Sequence, residues 1–113
     1  MRREPKRLVA GIQLTTAAAV LYEAPGRTYT TISAMTLTNT GATVADATVH
    51  LVPTEGVPDA TNAVLWARNL APGESRIVSE AIAQTLHPGG TIQALASDDD
   101  VITMVASGYE TVG

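Results

Sequence analysis

The sequence predicts an all-β protein, an antiparallel β-sandwich of about seven or eight strands. Turn signals rich in Pro, Gly, Asn and Asp recur at short intervals along the 113 residues, and no twelve-residue stretch has a helical period. The segments between the turns alternate apolar and polar residues, which is typical of half-buried strands. Phe is absent, so the core must consist mainly of Val, Ile, Leu, Ala and Met. Immunoglobulin-like and jelly-roll-like sandwiches both give this pattern, and both remain open.

The turn signals divide the chain into eight predicted strands. In the third of them, Ile32 and Ala34 keep one phase while Met35 and Leu37 take the other. A change of face within a strand needs an extra residue, so a β-bulge is expected near Ala34. Residues 79–86 predict either one helical turn or a loop pinned to the core. The predicted strands are residues 7–14, 19–23, 28–38, 47–52, 64–68, 75–79, 91–97 and 101–109.

The last two predicted strands show the clearest alternation. The acidic run Asp98-Asp99-Asp100 joins them, which predicts a hairpin with a solvated tip. Trp66 lies in an alternating strand and is expected in the core, because Trp is highly buried on average. An exposed Trp66 would instead be an interface anchor. Core positions are expected to include Leu37, Leu51, Ile77, Ile92 and Ala94.

Charge is distributed unevenly along the chain. Residues 1–7 carry four cations and one acid, a net charge of +3, whereas residues 8–113 carry three cations and ten acids, a net charge of −7. Pro5 cannot donate a ladder hydrogen bond, which argues against a central strand there. We therefore predict a basic N-terminal arm, residues 1–7, on a single domain, residues 8–113. The arm is expected to be mobile in the free subunit and to dock on an acidic neighbour through Arg2, Arg3, Lys6 and Arg7.

Composition argues against several classes of function. There is no Cys, so disulfides and thiolate chemistry are excluded. Lys and Arg are too few on the body for a nucleic-acid groove. The longest apolar stretch near the start, residues 17–22, is too short to span a bilayer, and no signal peptide is expected. The sequence thus predicts no membrane or direct nucleic-acid partner.

No residue pattern points to catalysis or to a cofactor. His50 and His87 show none of the spacings of a zinc site, and no nucleophile motif surrounds any Ser. Asp98 to Asp100 lack the spacing of a calcium loop. Gly89-Gly90 is followed by no Lys and is expected to serve a tight turn. The chain is therefore predicted to be no enzyme, with no metal and no cofactor.

The order of turns and strand starts resembles a known group of proteins. The resemblance covers about residues 19–110, and its motifs include Leu21-Tyr22-Glu23-Ala24-Pro25, Leu37-Thr38-Asn39-Thr40-Gly41, Leu70-Ala71-Pro72-Gly73-Glu74 and Leu86-His87-Pro88-Gly89-Gly90. This order resembles small all-β virion proteins of tailed bacteriophages, which serve as capsid decoration (cement) proteins or as neck and tail components. That group often has Asp in place of Gly90 and Val in place of Tyr109, and its pattern supplies no ligand residue.

The resemblance implies a structural virion protein assembled in the host cytoplasm. The first hypothesis is a capsid decoration protein that binds the major capsid protein or other virion structural proteins and clamps the head shell. The alternative is a neck or tail protein, and a homo-oligomer is expected in either place. A carbohydrate- or host-surface-binding module is a more distant alternative. It is disfavoured because the chain has only four large aromatic residues, some of them needed for the core.

Overall fold

The computed structural model describes residues 2–112, without the side chain of Arg2. In that range the chain is all-β, as predicted, with nine strands and one short 3₁₀ turn, Ser79–Ala81. The additional strand is the two-residue β7, which the sequence did not indicate. The strands are β1 (Arg2–Gln13), β2 (Ala19–Glu23), β3 (Thr28–Asn39), β4 (Ala45–Val52), β5 (Ala63–Leu70), β6 (Ser75–Ile77), β7 (Thr85–Leu86), β8 (Thr91–Ala96) and β9 (Ile102–Val112).

The strands form two antiparallel sheets that pack face to face. Sheet A has the order β1-β9-β3-β6, with β7 also paired to β3, and sheet B has the order β2-β8-β4-β5. Strands β6 and β7 pair with opposite halves of β3, so they act as one interrupted strand. The first strand then pairs with the last, the second with the next to last, and so on inwards to β4 and β5. This nested pairing is that of a jelly roll, which resolves the topology that the sequence left open.

The core lies between the sheets and consists of aliphatic side chains. Leu37, Ile92 and Ala94 are buried there as predicted, and Leu51 is half-buried against the same cluster. Ile77 was expected in the core but is 64% exposed. It ends the three-residue edge strand β6 and pairs with Thr36 on the outer face of sheet A.

Trp66 is a second departure from the predicted core. Its side chain is 63% exposed, on the outer face of sheet B. The register of β5 against β4 shifts twice near Trp66, between Ala47 and Val49 and between Val49 and His50. Each shift breaks the period of two on which the core prediction relied.

The expected β-bulge is confirmed. The pairing of β3 with β9 shifts between Ile32 and Ala34, which leaves Ser33 as the extra residue. Beside the bulge, β9 carries Gly108, which pairs with Ile32. A Cβ atom at Gly108 would collide with the carbonyl oxygen of Thr31, so the close approach of the two strands requires glycine there.

The predicted hairpin through Asp98 to Asp100 is wrong. Strand β8 belongs to sheet B and β9 to sheet A, so the connection crosses between the sheets. Two hydrogen bonds fix the crossing: the backbone N–H of Thr16 donates to Oδ1 of Asp99 (2.8 Å), and that of Asp100 donates to the carbonyl oxygen of Leu14 (3.0 Å). Of the two alternatives for residues 79–86, the structure has the short helical turn, at Ser79–Ala81, with Ala81 buried against the core.

The predicted boundary between the basic arm, residues 1–7, and the domain, residues 8–113, falls inside strand β1. Residues 2–7 form the first half of β1 and pair with residues 107–112 of β9. Pro5 is compatible with this position because β1 is at the edge of sheet A, where one side of the strand needs no partner. In the described part of the chain, no helix has the length and apolarity needed to cross a bilayer.

Candidate functional site

Strand β1 distributes the predicted basic residues over two faces. Arg3 is opposite Thr111 and Arg7 is opposite Ser107, whereas Lys6 is opposite the buried Gly108. Successive side chains of a strand point to opposite sides, so Arg3 and Arg7 lie on the outer face of sheet A and Lys6 lies on the side of the core. The side chain of Arg2 lies outside the described part of the chain.

Lys6 belongs to a polar network at one end of the sandwich. Its Nζ atom lies 3.4 Å from Oε2 of Glu110, which also accepts a hydrogen bond from the hydroxyl of Tyr22. The Tyr22 hydroxyl lies 2.8 Å from Oγ1 of the buried Thr30. Burial, followed by the Glu110 carboxylate, raises the pKa of Tyr22 to about 12. Lys6 is therefore engaged within the subunit, where it offsets the charge of Glu110.

Arg7 lines a shallow hollow on the outer face of sheet A, and Arg3 contacts Tyr109, which also lines it. The guanidinium of Arg3 lies 4.1 Å from the ring centroid of Tyr109, a cation–π contact that orients the side chain along the sheet. The hollow has a volume of about 360 Å³. It lies over the bulge in β3 and over the backbone of Gly108. Its lining is Pro5, Lys6, Arg7, Ser33, Ser107, Gly108 and Tyr109.

The hydroxyl-bearing side chains Ser33, Ser107 and Tyr109 line the hollow, and Tyr29 lies beside Tyr109 on the same face. Oγ of Ser33 donates to the carbonyl oxygen of Ser107 (3.2 Å). Tyr29 is opposite Thr111 and is therefore a diagonal neighbour of Tyr109 on the same face. The ring of Tyr29 meets that of His87 edge-on, with centroids 5.2 Å apart.

The outward positions of β1, β9 and β3 carry no carboxylate within the described residues. We call the set Arg3, Arg7, Ser33, Ser107 and Tyr109 the basic face. It offers two cations and several hydroxyls on a rigid sheet, which suits an anionic surface or segment. The sequence indicated its two arginines but missed Ser33, Ser107 and Tyr109. The alternation of residues 101–109 could have placed Ser107 and Tyr109 on the outer face, but it could not show which strand lies beside them.

The other candidates from the sequence are separate from the basic face or peripheral to it. Nδ1 of His50 lies 2.9 Å from Oδ1 of Asn62 in sheet B, and His87 contacts Tyr29. Asp99 caps the backbone of Thr16. Among residues 2–112, the His, Asp and Glu side chains form no group of three or more that could hold a metal ion.

Comparison with known proteins gives similarity of fold only. No protein-family model matches the chain, and no curated protein matches it. Among solved structures, the chain is similar to one from the T13 viral particle of infectious bursal disease virus, with 11% identity, a TM-score of 0.54, and coverage of 96% of this chain and 30% of that one. A VP2 subviral particle of the same virus gives 16% identity, a TM-score of 0.49, and coverage of 96% and 32%. This chain thus spans about a third of the chains that it matches.

Proposed function

We propose that this chain is a non-enzymatic structural protein of a virus particle, and specifically a capsid decoration protein. The observation that supports this most is the jelly-roll fold, which over 96% of the chain is similar to a chain of a viral particle. The order of turn motifs, which resembles decoration, neck and tail proteins of tailed bacteriophages, supports the same class independently of the fold.

In this proposal the basic face docks on an acidic surface of the major capsid protein or of another virion subunit. Arg3 is held in place by Tyr109, and Arg7 lies at the rim of the hollow, so both cations are displayed by a rigid sheet. Each exposed ion pair contributes about 1 kcal/mol or less, so the contact depends on the cations acting together. Complementary charge also selects the partner surface and speeds the encounter.

Decoration would stabilise a shell by mass action. A protein that binds only the assembled arrangement of subunits shifts the equilibrium towards that arrangement. One copy placed where capsomers meet would clamp its neighbours against internal pressure. Because many copies bind, a modest binding free energy per copy adds up to a large stabilisation of the shell, so no covalent link or cofactor is needed.

The test is cryo-electron microscopy of particles assembled with and without this chain, together with its copy number. We expect density for the jelly roll at many equivalent positions on the outside of the shell, with sheet A towards the capsid. A single ring at one vertex would overturn decoration in favour of the neck or tail alternative. Particles with no density for the chain, and an unchanged melting temperature without it, would overturn a structural role.

A further inference from the structure

The outer face of sheet B carries the only tryptophan of the chain in an exposed position. Trp66 lies on the edge strand β5 and is 63% exposed. A side chain of this size gains from burial and is enriched among residues that dominate binding, so an exposed one on a rigid sheet is a candidate contact site. Neither the basic face, which lies on the other sheet, nor the proposed decoration role uses it.

The backbone around Trp66 holds the indole outwards. Strand β5 places two residues, Trp66 and Ala67, opposite the single residue Thr48, which is a β-bulge. Ala67 has a φ of 45°, in the left-handed region that an alanine rarely adopts. Its N–H donates to Oγ1 of Thr48 (3.0 Å), which stabilises the strained bulge. The position of Trp66 is thus fixed at a cost in local strain.

A buried histidine presents a hydrogen-bond acceptor beside the indole. The ring of His50, 4% exposed, is nearly perpendicular to Trp66, with centroids 6.2 Å apart. The Asn62 amide donates to the carbonyl oxygen of Val57 (2.8 Å), and its Oδ1 accepts from the N–H of Asp59 (3.1 Å), so Oδ1 faces His50 as an acceptor. Nδ1 of His50 then donates to Oδ1, and in the tautomer that makes this bond Nε2 is an acceptor. No donor among residues 2–112 contacts Nε2.

A second acceptor lies next to the first. Gln93 on β8 is directly opposite His50 and points away from the core, because its neighbours Ile92 and Ala94 are buried. Nε2 of Gln93 donates to Oγ1 of Thr91 (3.0 Å), and no donor in the described part of the chain contacts Oε1. We call Trp66, His50 and Gln93 the Trp66 row: on the outer face of sheet B, Trp66 of β5 contacts His50 of β4 diagonally, and His50 is directly opposite Gln93 of β8.

We propose that the Trp66 row binds a neutral saccharide unit. The apolar C–H face of a pyranose ring would stack on the indole, and its hydroxyl groups would donate to Nε2 of His50 and Oε1 of Gln93. A hydroxyl-rich ligand suits this site because it satisfies both acceptors. An apolar protein surface would cover the same acceptors without giving them a donor, which is costly. This inference does not depend on the decoration role.

The test is isothermal titration calorimetry of the full chain with neutral oligosaccharides of glucose, mannose, galactose and N-acetylglucosamine. Fluorescence is a second readout, because Trp66 is the only tryptophan. We expect at least one oligosaccharide to bind and to change the Trp66 emission. Trp66→Ala should weaken binding about tenfold, and Gln93→Leu about two- to tenfold. Ile77→Ala is the matched control, since it removes an equally exposed apolar side chain from the other sheet.

Three outcomes would overturn the proposal. The first is the absence of heat and of fluorescence change with every oligosaccharide of the panel. The second is equal affinity of Trp66→Ala and Ile77→Ala, both shown to be folded by urea titration. The third is a blue shift of the Trp66 emission with rising protein concentration and no sugar, which would assign the face to a second copy of the chain.

Discussion

At the scale of single residues, Gly108 shows how closely β3 and β9 approach. We expect Gly108→Ala to destabilise the fold by about 3 kcal/mol or more, because the new Cβ would collide with the Thr31 carbonyl oxygen and backbone cannot swing aside as a flexible side chain can. Urea unfolding measures the free energy. Gly26→Ala is the control, since a Cβ there meets nothing within 4 Å, and it should change stability by about 0.5 kcal/mol or less. Equal losses in the two variants would contradict the proposed role of Gly108.

Ile92 and Ile77 permit the same substitution in opposite environments. Ile92 is completely buried, so Ile92→Asp places an unpaired charge in the core and should prevent soluble expression. Ile77→Asp, at a position 64% exposed, should express and melt like the original chain. Soluble yield and melting temperature check both variants. Normal melting of Ile92→Asp would show that the strand phase around it is misassigned.

The sequence predicted burial well where strands are regular and poorly where they are not. Ile92 and Ala94 lie in β8, whose inward residues alternate without interruption. Trp66 lies in a strand with two register shifts, and Ile77 ends a strand of three residues. A period of two gives the spacing of core residues along a regular strand. A β-bulge adds one residue and so changes which of the following side chains point to the core. No local sequence signal around Ala67 predicts its left-handed backbone conformation, which accompanies the outward position of Trp66.

At the scale of elements, the basic start of the chain has a second physical role as an edge strand. Exposed edges invite pairing with other chains, and natural edges are protected by charged residues and proline. Residues 2–7 provide both, and Gly11, with a φ of 116°, interrupts the strand further on. A separate arm was predicted because Pro5 argues against a central strand. Proline is also tolerated in an edge strand, and that possibility was not considered.

The network of Tyr22, Glu110 and Lys6 predicts a loss of stability in alkali. The pKa of Tyr22 is raised from 10.0 to about 12 in the folded state, so the folded protein holds this proton more tightly than the unfolded chain does. The resulting stabilisation is fully present below pH 10 and is lost as the pH rises from 10 to 12. Urea unfolding at successive pH values should show this decline.

Two variants separate Tyr22 from the other groups that titrate in alkali. Tyr22→Phe should be less stable than the original chain at neutral pH, because it loses its hydrogen bonds, and the difference should shrink above pH 10. Tyr29→Phe, at an exposed position, should keep the decline of the original chain. A constant difference between Tyr22→Phe and the original chain up to pH 12 would contradict the assignment.

At the scale of the whole molecule, the sequence predicted the class of fold but not which strands pair with one another. Turn signals and alternation predicted eight of the nine strands, seven of them within three residues of their observed bounds, whereas β1 begins five residues earlier than predicted. They could not show that β8 and β9 belong to different sheets, because alternation reports which side of a strand is buried and not which strand lies next to it. For the same reason the basic face could not be assembled beforehand, since Ser33, Ser107 and Arg7 come from three strands distant in sequence.

Docking through the basic face predicts a charge-dependent association. Deleting residues 1–6 would remove half of β1, so substitutions are the cleaner test. The double variant Arg3→Glu and Arg7→Glu should bind partner particles at least about tenfold more weakly and with a smaller dependence on salt. Arg68→Glu, on the other sheet, is the control and should bind as before. Co-sedimentation across a salt series measures both, and equal binding of the two variants would contradict docking by this face.

The pairing of β1 with β9 also has a consequence for how the chain becomes folded. Residues 2–13 find their only strand partner at residues 102–112, and β3 likewise pairs with β9 along most of its length. Contacts this distant in sequence make folding slow, because a large loop must close before they form. A nascent chain still lacking residues 102–112 has neither of these pairings, and β1 and β3 remain unpaired along these edges. Sheet A, and with it the basic face, can therefore be completed only after those residues have left the ribosome, whereas the strands of sheet B do not depend on them.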